Sequence, residues 1–142
     1  LIPILTGAMI FASDLLRRLP LRIKIGLLTV SSYPGVSIRS QGAQLISQKL
    51  GDLTGRHVLL VDDILDSGQT LTLVKSALAT RKPASVKSCV LLRKPTPGSA
   101  TTRVDYVGFD IPDRFVVGYG LDYNDYYRNL PRIVTLKPGV IQ

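Results

Sequence analysis

The chain has 142 residues, of which 45% are hydrophobic and 20% are charged, as expected for one globular domain with a hydrophobic core. Its one cysteine excludes an internal disulfide, and its one histidine has no partners for a zinc site. No apolar run is long enough to cross a bilayer. The net charge of +8 would suit nucleic acid or a polyanionic small substrate. The basic residues are scattered and no nucleic-acid-binding motif is present, which favours the small substrate.

The first elements are a strand and a helix. Residues 1–5 are predicted as a short strand, and Thr6-Gly7 as a tight turn at its carboxyl end. Apolar residues at three- and four-residue spacing predict an amphipathic helix over residues 8–19, which Pro20 ends. Because the chain starts without methionine inside this predicted strand, we expect further residues before Leu1 in the native protein.

A polar, glycine-containing segment over residues 31–42 follows a predicted second strand at 22–30. Such a segment is either a simple hairpin connection or a lid that excludes water from a site. The residues themselves leave both interpretations open. A return strand is predicted over residues 43–49, followed by a turn at 52–55.

The most informative stretch is residues 58–71, where a continuous apolar run ends in adjacent carboxylates, Asp62 and Asp63. Such a run is typical of a strand buried on both faces of a parallel sheet. A third acid, Asp66, follows closely. One aspartate would serve as a helix N-cap, but three within five residues repel one another unless a cation or a hydroxyl-rich ligand offsets their charge.

The loop after these acids, Ser67-Gly68-Gln69-Thr70, leads into a helix with apolar spacing from Leu71 to about Lys82. Free amides and hydroxyls at a helix start can bind an anionic oxygen cluster, and Gly68 lets the backbone approach it closely. Carboxylates at a strand end suit ribose hydroxyls and Mg²⁺. The stretch therefore predicts a site for a phosphorylated sugar at the edge of the sheet where α/β proteins bind ligands.

The second half of the chain continues the alternation. An apolar strand over residues 86–92, which contains Cys89 as a buried core thiol, is followed by Lys94 at the same edge of the sheet. A polar loop is predicted over residues 95–103. Further strands are predicted over residues 105–109, 114–119 and 132–136, with a polar, tyrosine-rich loop at 120–131. The alternation predicts a single α/β domain over residues 1–142 with a mainly parallel sheet flanked by helices.

Residues 61–70 resemble the phosphoribosyl-pyrophosphate motif of type I phosphoribosyltransferases. Residues 104–131 resemble the C-terminal part of the hypoxanthine-guanine members of that family, and Ser31-Ser32-Tyr33 and Leu5-Thr6-Gly7 resemble its lid start and its pyrophosphate loop. The resemblance covers nearly the whole chain. It implies the type I phosphoribosyltransferase fold with a small C-terminal hood.

The function implied by this resemblance is transfer of a 5-phosphoribosyl group from phosphoribosyl pyrophosphate to N9 of hypoxanthine or guanine, giving IMP or GMP and pyrophosphate. It also implies Mg²⁺ as cofactor, a cytoplasmic homodimer or homotetramer, and neither nucleic acid nor membrane as partner. Two alternatives stay open. One is a regulatory protein that senses phosphoribosyl pyrophosphate or nucleotides, which the +8 charge would suit; the other is an enzyme that prefers xanthine.

The resemblance also assigns residues to the phosphoribosyl half of the site. Asp62 and Asp63 would bind the ribose hydroxyls and Mg²⁺, and Asp66 would exchange a proton near purine N7. Ser32 and Tyr33 would close over the site during catalysis. The phosphoribosyl group would contact Asp62, Asp63, Asp66, Ser67, Gly68, Gln69 and Thr70.

In the other half, Lys94 would donate to the purine 6-oxo group, Phe115 would stack on the ring, and the Val116 backbone would contact the edge at position 2. Asp122 would lie beside the purine and bind Mg²⁺. Pyrophosphate would contact Thr6, Gly7 and Arg128, with Thr6 standing where the family often has lysine.

Overall fold

The computed structural model describes residues 1–31, 44–137 and 139. The elements follow the chain as β1 (Ile2–Leu5), α1 (Met9–Leu16), β2 (Leu27–Ser31), β3 (Gln44–Lys49), β4 (His57–Leu65), α2 (Gln69–Ala79), β5 (Ser85–Arg93), α3 (Pro97–Thr101), β6 (Tyr106–Asp110), β7 (Val116–Val117) and β8 (Val134–Thr135). No helix in these ranges is long and apolar enough to span a membrane.

The main sheet has six strands in the order β3-β2-β1-β4-β5-β6, and every neighbouring pair is parallel except β2–β3. The pair β7–β8 forms a separate antiparallel ribbon, which corresponds to the predicted C-terminal hood. The prediction of one α/β domain with a mainly parallel sheet is therefore confirmed.

β4 lies at the centre of the sheet between β1 and β5, and its apolar residues Leu60 and Val61 are fully buried. The apolar face of α2, formed by Leu71, Val74 and Leu78, packs into the same core. Burying one such side chain stabilises a fold by roughly 1.5–3 kcal/mol. The core thus holds the central strand, and with it the acids at its carboxyl end, in a fixed position.

Two strand boundaries differ from the predictions. The strand predicted from residue 22 begins only at Leu27, because its antiparallel partner β3 ends at Lys49, the residue opposite Leu27. β4 does not end at the acids: Asp62 pairs with Val90 across the sheet, and the ladder continues to Leu65. The acids therefore lie on regular strand backbone.

Three smaller differences concern the second half. The predicted loop at 95–103 contains α3, whose N-cap Thr96 accepts a hydrogen bond from the Ser99 amide while Pro97 stands in the first turn. β7 and β8 have two residues each, far fewer than predicted. Cys89 is only half-buried, although burial still raises its pKa.

Candidate functional site

A cleft of about 750 Å³ opens at the carboxyl ends of β1, β2 and β4. Most of the residues assigned to the site from sequence line it, which places both sugar-phosphate motifs in one cavity. They are Thr6, Gly7, Asp62, Asp63, Asp66, Ser67, Gly68, Thr70, Asp122 and Arg128.

Other assigned residues lie elsewhere. Gln69, Lys94, Phe115 and Val116 do not line this cavity, although Lys94 contacts one of its residues, as described below. The predicted lid residues Ser32 and Tyr33 lie outside the described ranges.

The acid pair consists of two adjacent carboxylates that line the cleft, of which Asp62 is buried and Asp63 is half-buried. Asp62 is 6% exposed, and its Oδ1 accepts the Asp63 amide at 3.0 Å, while Asp63 Oδ1 accepts the Ile64 amide at 2.8 Å. Burial, followed by repulsion from Asp63, raises the pKa of Asp62 well above its ordinary value. Burial also raises the pKa of Asp63. Negative charge here is costly, so a cation or a hydroxyl donor would be bound favourably.

We expect Asp62→Asn to raise the thermal stability of the unliganded protein at neutral pH. The pKa of Asp62 is raised in the folded protein. Its contribution to the free energy of unfolding is therefore fully present below the ordinary pKa of 3.8 and is lost as the pH rises through the raised pKa. Asparagine has no charge to bury and still accepts the Asp63 amide. The gain in Tm should therefore shrink as the pH is lowered toward 4.

A matched control for this experiment is Asp52→Asn. The Thr54 amide, bound at 2.9 Å, lowers the pKa of Asp52, so the sign of the effect is opposite and no gain at neutral pH is expected. Differential scanning calorimetry between pH 4 and 8 measures both. An Asp62→Asn Tm below that of the unaltered protein at neutral pH would contradict a costly charge at this position.

The turn at Thr6-Gly7 packs directly on the acid pair. A Cβ atom added to Gly7 would lie 2.0 Å from Asp63 Oδ2. A Cβ atom on Gly120 would lie 2.3 Å from the Gly7 carbonyl oxygen, so the C-terminal loop also rests on this turn. The peptide bond between Leu5 and Thr6 is cis. Three segments distant in sequence therefore meet at Gly7.

The loop before α2 is braced by the segment that follows β5. The Lys94 amide donates to the Leu65 carbonyl at 3.0 Å, and the Thr96 hydroxyl donates to the Asp66 carbonyl. Gly68 has a left-handed φ of 75°, and a Cβ atom there would lie 1.9 Å from Thr102 Oγ1. This brace was not predicted from the sequence, although threonine followed by proline is a recognisable helix-start signal.

Lys94 and Asp66 are joined by an ion pair. The Lys94 side chain is 10% exposed, and its Nζ lies 3.1 Å from Asp66 Oδ2 and 3.4 Å from Asp113 Oδ1. Phe115, two positions after Asp113 in the chain, is 43% exposed and meets Tyr123 edge to face, with ring centroids 5.6 Å apart. A paired cation and carboxylate and an exposed aromatic ring are the groups that suit a flat heterocycle with acceptor atoms.

Arg128 occupies the C-terminal side of the cleft. Its Nη1 donates to the Gly120 carbonyl at 2.8 Å and lies 3.0 Å from Asp122 Oδ1, and its Nη2 lies 3.2 Å from Asp125 Oδ1. Asp122 Oδ2 accepts the Asp125 amide at 2.9 Å. Asp125 also lines the cavity and was not anticipated from sequence.

One side-chain contact ties α1 to the C-terminal loop. Tyr119, which has a positive φ of 54°, donates its hydroxyl to Asp14. Burial and this carboxylate raise the pKa of Tyr119 to about 12, while the same hydrogen bond, with Arg17, lowers the pKa of Asp14. The contact was not predicted from the sequence, because 105 positions separate the two residues.

The donors in the cleft fit Mg²⁺. The described ranges hold no group of three histidine, cysteine or acidic residues that could enclose a metal. Mg²⁺ in phosphate-handling sites, however, takes only one or two carboxylates and completes its shell with water and phosphate oxygens. Asp62 and Asp63 supply hard oxygen ligands whose charge is costly to bury, and Asp122 supplies a third carboxylate in the same cavity.

Comparison with known proteins identifies the kind of domain. The family described as the phosphoribosyl transferase domain matches residues 1–124. The hypoxanthine-guanine phosphoribosyltransferase of Mycobacterium avium is 50% identical over 143 aligned positions, which cover 100% of this chain and 70% of that protein. The Bacillus subtilis protein of the same name is 40% identical, with 99% of this chain and 78% of that protein covered.

Solved structures agree with this match. A hypoxanthine phosphoribosyltransferase from Staphylococcus aureus superposes with a TM-score of 0.89 at 43% identity. The alignment covers 99% of this chain and 77% of the Staphylococcus aureus chain. A Trypanosoma cruzi hypoxanthine phosphoribosyltransferase in complex with the product IMP superposes with a TM-score of 0.86 at 39% identity. The alignment covers 98% of this chain and 72% of the Trypanosoma cruzi chain.

Proposed function

We propose a role for each residue of the cleft in the hypoxanthine-guanine phosphoribosyltransferase reaction, because the chain belongs to the phosphoribosyltransferase family and matches its hypoxanthine-guanine members over its whole length. The chain is a purine salvage enzyme. It transfers a 5-phosphoribosyl group from phosphoribosyl pyrophosphate to N9 of hypoxanthine or guanine and releases pyrophosphate with IMP or GMP.

The observation that carries the assignment of roles is the meeting of the acid pair, the loop before α2 and the Lys94–Asp66 ion pair around one opening. In the reaction the C1′–O bond breaks, its electron pair leaves with pyrophosphate, and a bond from C1′ to N9 forms. Positive charge develops on the ribose as in glycoside chemistry. Asp62 and Asp63 hold the ribose hydroxyls, and their carboxylates favour the positive charge that develops on the ribose.

The loop before α2 binds the 5′-phosphate. Its amides stand at the start of a helix, where partial positive charge favours an anion. The Ser67 and Thr70 hydroxyls supply further donors, and Gly68 keeps the loop close to the phosphate. The brace from Thr96 holds the Asp66 backbone while ligands exchange.

The purine lies between Phe115 and the Lys94–Asp66 pair. Lys94 donates to the 6-oxo oxygen, an acceptor that an amino group at the same position lacks, and this favours oxopurines over adenine. Asp66 accepts the proton that the base loses as its nitrogen bonds to C1′. The Val116 backbone meets the edge at position 2.

The leaving pyrophosphate contacts Arg128 and the Thr6-Gly7 turn. Since Thr6 has no charge, the guanidinium of Arg128 is the main cationic donor of this half, and its planar fork suits a phosphate. Asp62, Asp63 or Asp122 would hold Mg²⁺, which would neutralise charge on the leaving pyrophosphate. A cytoplasmic location and self-association into dimers or tetramers remain predictions.

We expect pyrophosphate release from phosphoribosyl pyrophosphate and Mg²⁺ with hypoxanthine and guanine, and much slower release with adenine. A coupled pyrophosphate assay with hypoxanthine, guanine, xanthine and adenine measures this directly. Fastest turnover with xanthine would identify a xanthine-preferring enzyme. Tight nucleotide binding without turnover on any of the four bases would overturn the enzymatic function and indicate a sensor instead.

A further inference from the structure

The ammonium of Lys94 lies between two carboxylates, only one of which has a role in the reaction proposed above. Its Nζ is 3.1 Å from Asp66 Oδ2 and 3.4 Å from Asp113 Oδ1, and the Lys94 side chain is 10% exposed. A buried cation needs compensating partners, since an unpaired charge is costly to keep away from water. Asp113 itself is 68% exposed, so it covers the ammonium from the solvent side.

The segment that carries Asp113 is fixed to the end of β5. Arg93 Nε and Nη2 lie 2.6 and 3.1 Å from the two carboxylate oxygens of Asp110, and the Ile111 amide donates to the Arg93 carbonyl at 2.9 Å. Two consecutive basic residues at the strand end, Arg93 and Lys94, are thus paired with two acids of the same short segment. The backbone bond from Ile111 and the pairing of Arg93 with Asp110 between β5 and β6 hold the segment, so Asp113 stays beside Lys94 even without the Asp110 carboxylate.

Asp66 has two competing partners. Without a base, Asp66 is held by Lys94; when a purine binds, Asp66 must interact with the base nitrogen, and Lys94 must turn one donor toward the 6-oxo oxygen. An ammonium has three donors, so it can keep one carboxylate while it releases another. If Asp66 were the only counter-ion, its release would leave the Lys94 charge uncompensated in a poorly solvated place.

We propose that Asp113 is a positioning residue for purine binding: it holds the Lys94 ammonium in place while Asp66 turns to the base. The proposal rests on the function proposed above, in which Lys94 reads the 6-oxo group. Asp113 touches neither the sugar nor the phosphates in this scheme, because it does not line the cleft that binds them. Its effect should therefore appear in the binding of the base and not in that of phosphoribosyl pyrophosphate.

The experiment compares Asp113→Asn with Asp110→Asn. The control removes one negative charge from the same segment, and the side chains of Asp110 and Asp113 are almost equally exposed, 69% and 68%. It deprives Arg93 of its carboxylate partner and leaves the partners of Lys94 in place. We expect Asp113→Asn to raise the KM for hypoxanthine about three- to fivefold, the upper part of the range for one largely exposed ion pair, with the KM for phosphoribosyl pyrophosphate unchanged. Asp110→Asn should leave both KM values near their original levels, and Asp113→Glu should restore most of the hypoxanthine KM.

A double-mutant cycle tests whether Asp113 acts through Lys94. In a Lys94→Met background, Asp113→Asn should change the KM for hypoxanthine no further. The proposal is overturned if Asp113→Asn raises both KM values equally, leaves both unchanged, or retains its effect in the Lys94→Met background. Absence of turnover in the unaltered protein would instead refute the function on which the proposal rests, so the two failures are distinguishable.

Discussion

Asp66→Asn is expected to lower kcat about 10²- to 10⁴-fold, the range of effect for a positioned general acid or base. Asparagine has nearly the same shape and can still accept a hydrogen bond from Lys94, whose Nζ lies 3.1 Å from the carboxylate. It cannot take the proton that leaves the base. Because the backbone of the loop is held by the Thr96 hydroxyl and not by the carboxylate, the KM for phosphoribosyl pyrophosphate should change little.

Steady-state kinetics with both substrates varied measures this split, and thermal unfolding establishes that the variant is folded. Asp66→Glu retains the charge and should recover part of kcat. Equal losses in kcat and in affinity for phosphoribosyl pyrophosphate would refute a role of Asp66 in proton transfer and would make it a binding residue.

Gly7→Ala is expected to lower kcat/KM for phosphoribosyl pyrophosphate by about 10²-fold, the effect of displacing a reactive-site group by about 1 Å. The added methyl group would lie 2.0 Å from Asp63 Oδ2 and 2.6 Å from its Cγ, so either the turn or the carboxylate must move. Asp63 has little room to move, because its Oδ1 already accepts the Ile64 amide. Overpacking of this kind also costs about 1–3 kcal/mol in the free energy of unfolding.

Gly55→Ala separates the loss of activity from the loss of stability. Gly55 has a φ of +67°, where alanine is strained, but nothing lies within 4 Å of an added Cβ atom. The residue precedes the amino end of β4, opposite to the end at which the cleft lies. The Gly55→Ala variant should lose about 1 kcal/mol of stability with kcat/KM unchanged. A Gly7→Ala variant as active as Gly55→Ala would show that the turn does not have to meet the acid pair so closely.

The sequence predicted the parts of the site that depend on local pattern. The apolar run before Asp62 and Asp63 marks a central strand, and acids at its carboxyl end belong where α/β sheets bind ligands. The small loop with Gly68 marks a helix start, and the structure has α2 beginning at Gln69. These features depend on neighbours in the chain, which periodicity and turn chemistry report directly.

Contacts between distant segments were not predictable in the same way. Nothing local to Gly7 indicates that it faces Asp63, and nothing local to Asp113 indicates that it covers Lys94. The error in the length of β2 has a related cause: β2 begins at Leu27 because β3, its antiparallel partner, ends at the opposite residue, Lys49. Pairing partners are a property of the whole sheet.

The two sheets of the fold give the halves of the site unequal resistance to local opening. Asp62 and Asp63 directly follow Leu60 and Val61, the residues of β4 that pair with both β1 and β5, whereas Val116 belongs to a ribbon with two residues in each strand. Amide protons in doubly paired central strands exchange with solvent only through near-global unfolding, while those in short peripheral ribbons exchange through small fluctuations. We therefore expect the amides of β4 beside the acid pair to exchange more slowly than those of the ribbon that carries Val116.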